Sequence, residues 1–175
     1  MNEFERCIKE HHLLKIKATK EMIGKEITSA EYDFLRSKES IRDEDYKWAS
    51  VQAYYSMFHA AKALVLKKGY REKSHYCLIV AIRELYVKDD IMNDELADTL
   101  ELCMHLRHDA DYGLIYDKES AEAATRYAKQ FLSAAKKLLH PELRPEYIKK
   151  MKKRQKEKTI EIKDFRKHFG LDKNV

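Results

Sequence analysis

Glycine and proline are scarce in this chain, and their spacing limits what it can fold into. The 175 residues include four glycines and two prolines. They stand at Gly24, Gly69, Gly113, Gly170, Pro141 and Pro145. Glycine favours the left-handed backbone just past a helix end, and proline commonly follows a helix that has stopped. The long intervals between them therefore predict helices, and the fold class is all-α, a bundle of about five to six helices.

Helical periodicity and capping residues predict where these helices lie. We expect them at about residues 2–23, after Thr28, at about 42–68, from Ser74 to about Lys88, after Asn93, and at about 118–140. The second would begin at Thr28-Ser29-Ala30-Glu31, because a hydroxyl followed three residues later by glutamate is typical of a capping box. Tyr32 and Leu35 would then face inward. No stretch of the body alternates with the period of a strand.

The third predicted helix is apolar around most of its girth. Between Trp48 and Leu66 few residues are polar, and a helix of this kind belongs in the middle of a bundle. Three exceptions, Gln52, Ser56 and His59, are spaced four and three residues apart and form one narrow polar stripe. The stripe is either a hydrogen-bonded seam, in the core or at a subunit contact, or a surface that faces substrate.

Basic residues are concentrated near the C-terminus. Residues 149–158 contain seven bases and one acid, a local surplus larger than the net charge of +5 of the whole chain. We therefore divide the chain into a helical domain at 1–140 and a basic tail or docking segment at 141–175. The bases can be a solvated face or can bind an RNA backbone. The candidate RNA-binding residues of the tail are Lys149, Lys150, Lys152, Lys153 and Arg154.

The cysteines and the apolar segments bear on where the protein works. Cys7, Cys77 and Cys103 are odd in number and widely spaced, a pattern that fits neither a disulfide framework nor a zinc site. We interpret them as buried thiols and predict no metal or cofactor. No apolar run approaches the roughly 20 residues that a membrane span needs, and no signal peptide is evident. The sequence predicts a cytoplasmic protein with no membrane association.

The richest polar cluster is Arg-His-Asp-Ala-Asp-Tyr-Gly at residues 107–113, where the fifth helix should end. Arg107 lies four residues after Cys103, so its side chain starts beside the apolar stripe, and a buried cation needs a partner. Asp111, one turn on, can pair with it in a purely structural role. Alternatively, Arg107 can hold a phosphate while His108 or His105 moves protons, although the consecutive residues Arg107 and His108 point about 100° apart on a helix.

Three stretches together resemble the HEPN superfamily. They are residues 53–64 (Ala-Tyr-Tyr-Ser-Met-Phe-His-Ala-Ala-Lys-Ala-Leu), Lys73-Ser74-His75, and the segment from Arg107 to Gly113. The resemblance covers about residues 3–140. It implies an antiparallel helical bundle that forms a homodimer, with the fifth-helix motif of each subunit near the shared interface. Many relatives are metal-independent ribonucleases of toxin–antitoxin, defence or RNA-processing systems, often beside a small nucleotidyltransferase.

The chain departs from the family's ribonuclease motif. That motif is an arginine, then four to six residues, then a histidine, whereas here Tyr112 takes the first of these positions. The segment is similar to the family branch that reads Arg-x-x-Ala-Asp-Tyr. With an ordinary pKa near 10, a tyrosine is a poor general base at neutral pH.

Two functions follow from the resemblance. One is a homodimeric module that associates with RNA, with a nucleotidyltransferase-type partner protein, or with both, in a toxin–antitoxin or defence setting. The other is a metal-independent endoribonuclease in which Arg107 grips the phosphate, and Asp111 and Tyr112 orient the ribose hydroxyl. His59 or His108 would then transfer protons. A third interpretation is that Arg107 and Asp111 only hold the dimer together.

Overall fold

The computed structural model describes residues 1–108 and 116–139. Its elements are α1 (Glu3–Lys9), β1 (Leu13–Lys15), α2 (Lys20–Arg42), α3 (Tyr46–Lys67), β2 (Tyr70–Glu72), α4 (His75–Ile82), α5 (Asp94–His108) and α6 (Lys118–Leu139). A π-helical turn (Arg83–Val87) extends α4. The all-α class is thus confirmed within the described residues. Asp111, Tyr112 and the five basic tail residues lie outside them.

Helix α3 is the centre of the bundle, as its apolar sequence predicts. It packs against α2, α4, α5 and α6. Its residues on all sides are buried, among them Tyr54, Met57 and Leu64 at 1% exposure or less. The side chain of Asp45 caps the helix by accepting a hydrogen bond from the backbone N–H of Trp48. Since α3 is enclosed on several sides, its polar side chains are held by the helices around it.

The N-terminal third differs from the prediction. The first helix ends at Lys9, and β1 then pairs antiparallel with β2, with Leu13 opposite Glu72. The next helix begins at Lys20, where Thr19 accepts from the N–H of Met22. It continues through Gly24 and Thr28 without a break, so the predicted start at Thr28 is wrong. The Thr28 hydroxyl donates to the carbonyl of Gly24 one turn back instead of capping a helix.

The inward face of α2 was also wrongly predicted. Tyr32 and Leu35 are 63% and 55% exposed. The face toward α3 carries small residues instead, with Ala30 and Ser37 both fully buried. Ser37 Oγ donates to the carbonyl of Ala49 at 3.0 Å. Small side chains with satisfied hydroxyls let the two backbones approach, which a hydrophobicity pattern does not reveal.

In the second half of the helical domain, the helix caps and the turn at Gly69 match the prediction. Ser74 caps α4 by accepting from the N–H of Cys77, and Asn93 accepts from the N–H of Glu95 just before α5. Gly69 has a φ of 83° at the turn between α3 and β2, the left-handed geometry that its position after a helix predicts. None of the helices in residues 1–108 and 116–139 is long and apolar enough to cross a membrane.

The cysteines were wrongly interpreted in part. Cys7 on α1 and Cys77 on α4 form a disulfide, with Cα atoms 5.9 Å apart across a sequence separation of 70 residues. The pairing depends on how the N-terminal segment folds back against α4, which sequence spacing does not encode. Cys103 is a buried thiol as predicted. Burial raises its pKa to about 12, so it stays protonated at neutral pH.

Candidate functional site

Arg107 lies in the last turn of α5 and its side chain reaches α3. Its Nη2 donates to the hydroxyl of Tyr55 at 3.4 Å, and its Cζ lies 5.7 Å from the centroid of the same ring. A guanidinium over an aromatic face is stabilised by the ring's quadrupole. Arg107 is half-buried, and Tyr55 holds one face of its cation. Its predicted pairing with Asp111 stays a prediction.

A histidine from a third helix lies in the same region. His75 is the first residue of α4, and its Nδ1 is 2.5 Å from the hydroxyl of Tyr54 on α3. The imidazole stacks on Phe58, with ring centroids 4.4 Å apart and an interplanar angle of 26°. Because Tyr54 and Phe58 are themselves buried, they fix both the position and the plane of this imidazole.

The surroundings of His75 favour its neutral form. Burial lowers the pKa of His75, and the positive charges of Arg107 and Lys62 lower it further. The partial positive charge at the N-terminus of α4 acts in the same direction. Burial raises the pKa of Tyr54, so the phenol remains protonated. At neutral pH the site therefore contains a neutral imidazole close to a guanidinium.

The polar stripe on α3 is a hydrogen-bonded seam against α2, the first of its two predicted roles. Gln52 Oε1 accepts from Ser40 Oγ at 2.8 Å, and Ser56 Oγ donates to the carbonyl of Ala30 at 2.8 Å. His59 continues the stripe and is half-buried. Two of the three stripe residues thus serve packing.

His59 belongs to an ion cluster that we define by Glu26, His59, Lys62 and Glu72. His59 Nδ1 is 2.6 Å from a Glu26 oxygen, and Lys62 Nζ is 3.0 Å from the other oxygen of that carboxylate. Lys62 Nζ also lies 3.6 Å from Glu72. The second ring nitrogen of His59 is 3.8 Å from Asp33. Both nitrogens of His59 therefore face carboxylates of α2.

The pKa values of the two carboxylates in the ion cluster are shifted in opposite directions. Burial alone would raise the pKa of Glu26, but hydrogen bonds from His59 and Lys62 outweigh it and hold that pKa below its ordinary value. Burial raises the pKa of Glu72, which is 8% exposed. Glu72 Oε2 has no hydrogen-bond partner within the described part of the chain. The cluster thus depends on Lys62, the cation that contacts both acids.

We expect Glu26 to contribute stability that disappears in acid. A carboxyl whose folded pKa is depressed stabilises the protein above its unfolded pKa and loses that contribution as pH falls through the folded value. The urea midpoint of wild type should therefore exceed that of Glu26→Gln at pH 7, and the gap should close below the ordinary value of 4.5. A gap that stays constant from pH 7 to pH 3 would contradict this. Glu21→Gln is the matched control, since Glu21 is an exposed acid of the same helix.

The structure brings some of the sequence-predicted site residues together and adds others. Arg107 and His59 both lie near Tyr55, with Arg107 Cζ 5.7 Å and the His59 ring centroid 6.5 Å from the centroid of its ring. His108 is exposed at the end of α5. Sequence reasoning missed Tyr55 and His75 as site residues. The available signals were the spacing of Tyr55 to His59 on one helix face, and a histidine placed directly after a helix cap.

We define the Arg107 site by Arg107, Tyr55, Tyr54, Phe58 and His75. It combines a cation, aromatic rings and a neutral imidazole from three helices. Guanidinium groups bind phosphate through two parallel hydrogen bonds. Within residues 1–108 and 116–139, no group of three or more His, Cys, Asp or Glu residues is arranged to hold a metal ion. The arrangement suits recognition of a phosphate ester by side chains of the protein.

Comparison with known proteins gives consistent matches over the bundle. The HEPN domain model matches residues 25–138. A protein of Methanocaldococcus jannaschii named a putative toxin is 30% identical over 122 residues, which cover 69% of this chain and 83% of that protein. A second protein of that organism with the same designation is 31% identical, over 70% of this chain and 92% of its own length. A UPF0332 protein of Archaeoglobus fulgidus is 36% identical over 84 residues, 48% of this chain and 66% of the relative.

Proposed function

The chain belongs to the HEPN domain family, and we propose that it acts in the cytoplasm as a homodimeric HEPN module that associates with RNA. The setting we propose is a toxin–antitoxin or defence system, because two similar proteins carry toxin designations. A nucleotidyltransferase-type protein is the partner that the family resemblance suggests. The observation that carries the RNA proposal is the position of Arg107, held over Tyr55 at the end of α5.

The geometry of Arg107 supports phosphate binding. Tyr55 contacts one guanidinium nitrogen and one face of the cation. A fork that is held in place loses less entropy when it binds a phosphate than a mobile one does. His75 is neutral beside it. The guanidinium of Arg107 is therefore the cation that we propose for the phosphate.

We expect Arg107→Ala to weaken binding of a mixed RNA pool by about tenfold or more, because a hydrogen bond to a charged group contributes about 1.5–3 kcal/mol. Arg107→Lys should recover only part of this, because lysine keeps the charge and loses the planar fork. Arg42→Ala is the charge-matched control, since Arg42 is exposed at the end of α2. Filter binding at fixed salt measures the affinities, and sedimentation reports the dimer. Equal reductions of affinity in Arg42→Ala and Arg107→Ala would contradict a specific site.

A second candidate function is a metal-independent endoribonuclease that uses Arg107. The observation that favours it is His75, a neutral imidazole that α4 places within reach of the Arg107 charge. Its test is cleavage of the RNA pool by purified protein in excess chelator. Wild type should cleave and Arg107→Ala should not, while the helical circular-dichroism signal stays the same. Absence of cleavage in wild type would leave the binding module as the function.

We propose that residues 141–175 form a separate basic segment that binds the RNA backbone. Lys149, Lys150, Lys152, Lys153 and Arg154 would supply the positive charge. Deleting 141–175 should flatten the dependence of log affinity on log salt by about 0.7 for each phosphate that this segment neutralises. Binding measured at several salt concentrations gives the slope for the full chain and for the deletion. An unchanged slope would exclude binding of RNA by this segment.

A further inference from the structure

We propose that His75 is the proton acceptor of the Arg107 site, so that α4 supplies the histidine that is missing after Arg107 on α5. The inference rests on the proposed ribonuclease function. It assigns chemistry to a residue 32 positions before Arg107 in the chain. The two are brought near each other by the packing of α4 and α5 around α3.

The hydrogen bond to Tyr54 prepares the imidazole for this role. Nδ1 is 2.5 Å from the phenol oxygen. In the tautomer that donates Nδ1–H to Tyr54, Nε2 carries the lone pair and is the accepting atom. Phe58 stacks against the ring at 4.4 Å and prevents it from tilting. The side chain is half-buried, so the imidazole is fixed by protein and still accessible.

The charges around His75 suit a base that is switched by substrate. Among residues 1–108 and 116–139, the titratable or charged groups that act on it are Tyr54 and Lys62 on α3 and Arg107 on α5. Both cations disfavour the imidazolium, so His75 is unprotonated before RNA binds. A phosphate held by Arg107 would neutralise part of that positive field. The pKa of His75 would then rise toward neutrality, where an imidazole accepts a proton most effectively.

The proposed step is an intramolecular transesterification, in which the phosphoryl group of the RNA moves from the 5′-oxygen to the ribose 2′-oxygen. The ribose 2′-oxygen forms a bond to phosphorus while its proton moves to Nε2 of His75. The bond between phosphorus and the 5′-oxygen breaks, and that oxygen takes a proton from water. The imidazolium of His75 then returns its proton to the hydroxide that remains, which restores the neutral imidazole. The products are a 2′,3′-cyclic phosphate and a free 5′-hydroxyl. Arg107 neutralises the negative charge that gathers on the phosphoryl oxygens.

His75 is better placed for this step than the other histidines near Arg107. Both ring nitrogens of His59 face carboxylates, at 2.6 Å to Glu26 and 3.8 Å to Asp33. The ring nitrogens of His59 are therefore directed at carboxylates of the protein. His108 is exposed and points about 100° around the helix from Arg107.

The test compares His75→Asn with wild type and with His12→Asn, a histidine variant at an exposed position outside the site. Asparagine retains a polar group near Nδ1 for Tyr54 and removes Nε2. Cleavage of the RNA pool is followed in excess chelator at saturating protein, and 2′-O-methyl RNA, which lacks the reacting hydroxyl, reports binding alone. We expect His75→Asn to cleave about 10²- to 10⁴-fold more slowly with an affinity near that of wild type. His12→Asn should match wild type in both measurements.

Two further readouts separate a chemical role from a structural one. The wild-type cleavage rate should fall in acid as His75 becomes protonated, and His75→Asn should lack that limb. Tyr54→Phe removes only the hydroxyl that holds the ring, and should lower the rate while leaving RNA affinity unchanged. A cyclic phosphate on the product supports the proposed step, whereas a linear phosphate formed at once contradicts it.

The outcomes distinguish the role of His75 from the ribonuclease function on which it rests. Cleavage by His75→Asn at the wild-type rate overturns the role of His75 and leaves the ribonuclease intact. Binding without cleavage by wild type overturns both and leaves the RNA-binding module. If wild type shows no binding and no cleavage, the role of His75, the ribonuclease function and the RNA-binding module are all overturned. A His75→Asn protein that loses its affinity along with its cleavage assigns His75 to folding or binding, and also overturns the inference.

Discussion

Loss of the Cys7–Cys77 disulfide is expected to lower the free energy of unfolding by about 4 kcal/mol. The bond joins residues separated by 70 positions, so it closes a long loop in the unfolded chain and reduces its entropy. It connects α1 to α4, two elements that otherwise meet over a small area. The measurement is urea denaturation of the oxidised protein with and without a strong reductant.

The control for this prediction is the double variant Cys7→Ser/Cys77→Ser. It should unfold at the midpoint of the reduced wild type and should not respond to reductant. Cys103 is buried, and a thiol with a pKa near 12 is slow to exchange, so it should not substitute for either partner. If reductant leaves the wild-type midpoint unchanged, the disulfide does not form or does not stabilise the fold.

The disulfide also bears on the proposed compartment. Structural disulfides are common in oxidising compartments and rare in the cytosol of most organisms. Trapping the free thiols of the protein in cells before lysis would measure how much of it is bonded. Full oxidation would argue against a reducing cytoplasm as its place of action. Because Cys77 lies two residues after His75, RNA binding could also be compared directly between the oxidised and the reduced protein.

The elements predicted correctly are those determined by local sequence. The apolar surface of α3 requires burial wherever the helix lies, and Ser74 and Asn93 cap helices that start beside them. The wrong predictions for α2 also came from local sequence patterns. The Thr28 hydroxyl satisfies a carbonyl one turn back within α2, an option that a capping motif does not exclude. The buried face of α2 includes Ala30 and Ser37, which carry little hydrophobicity.

Features that depend on distant residues were missed for a common physical reason. The pairing of β1 with β2 and the disulfide both join segments that are more than fifty residues apart. The candidate site divides in the same way. Arg107 is recognisable within its own motif, whereas the roles of Tyr55 and His75 appear only when α3, α4 and α5 pack together. A catalytic histidine supplied by another helix leaves no spacing signal after the arginine.

The second large effect is expected at Phe131, and it separates the stability of the bundle from the chemistry of the site. Phe131 is fully buried on α6, the helix that packs against α2, α3 and α5. Replacing it with alanine should lower the free energy of unfolding by about 3–5 kcal/mol, because apolar burial is removed and a cavity remains. Phe131→Leu should cost less because most of the volume is retained. Gln130→Ala, an exposed neighbour, should leave the urea midpoint nearly unchanged.

RNA binding by Phe131→Ala at low temperature tests whether α6 contributes to the Arg107 site. Phe131 is not one of the residues that form the Arg107 site, so the remaining folded protein should bind RNA with wild-type affinity well below its unfolding midpoint. Arg107→Ala should show the converse, with weakened binding and a smaller change in stability. Loss of RNA affinity in fully folded Phe131→Ala would mean that α6 positions the site as well as the core. The Arg107 site would then extend beyond the side chains of α3, α4 and α5.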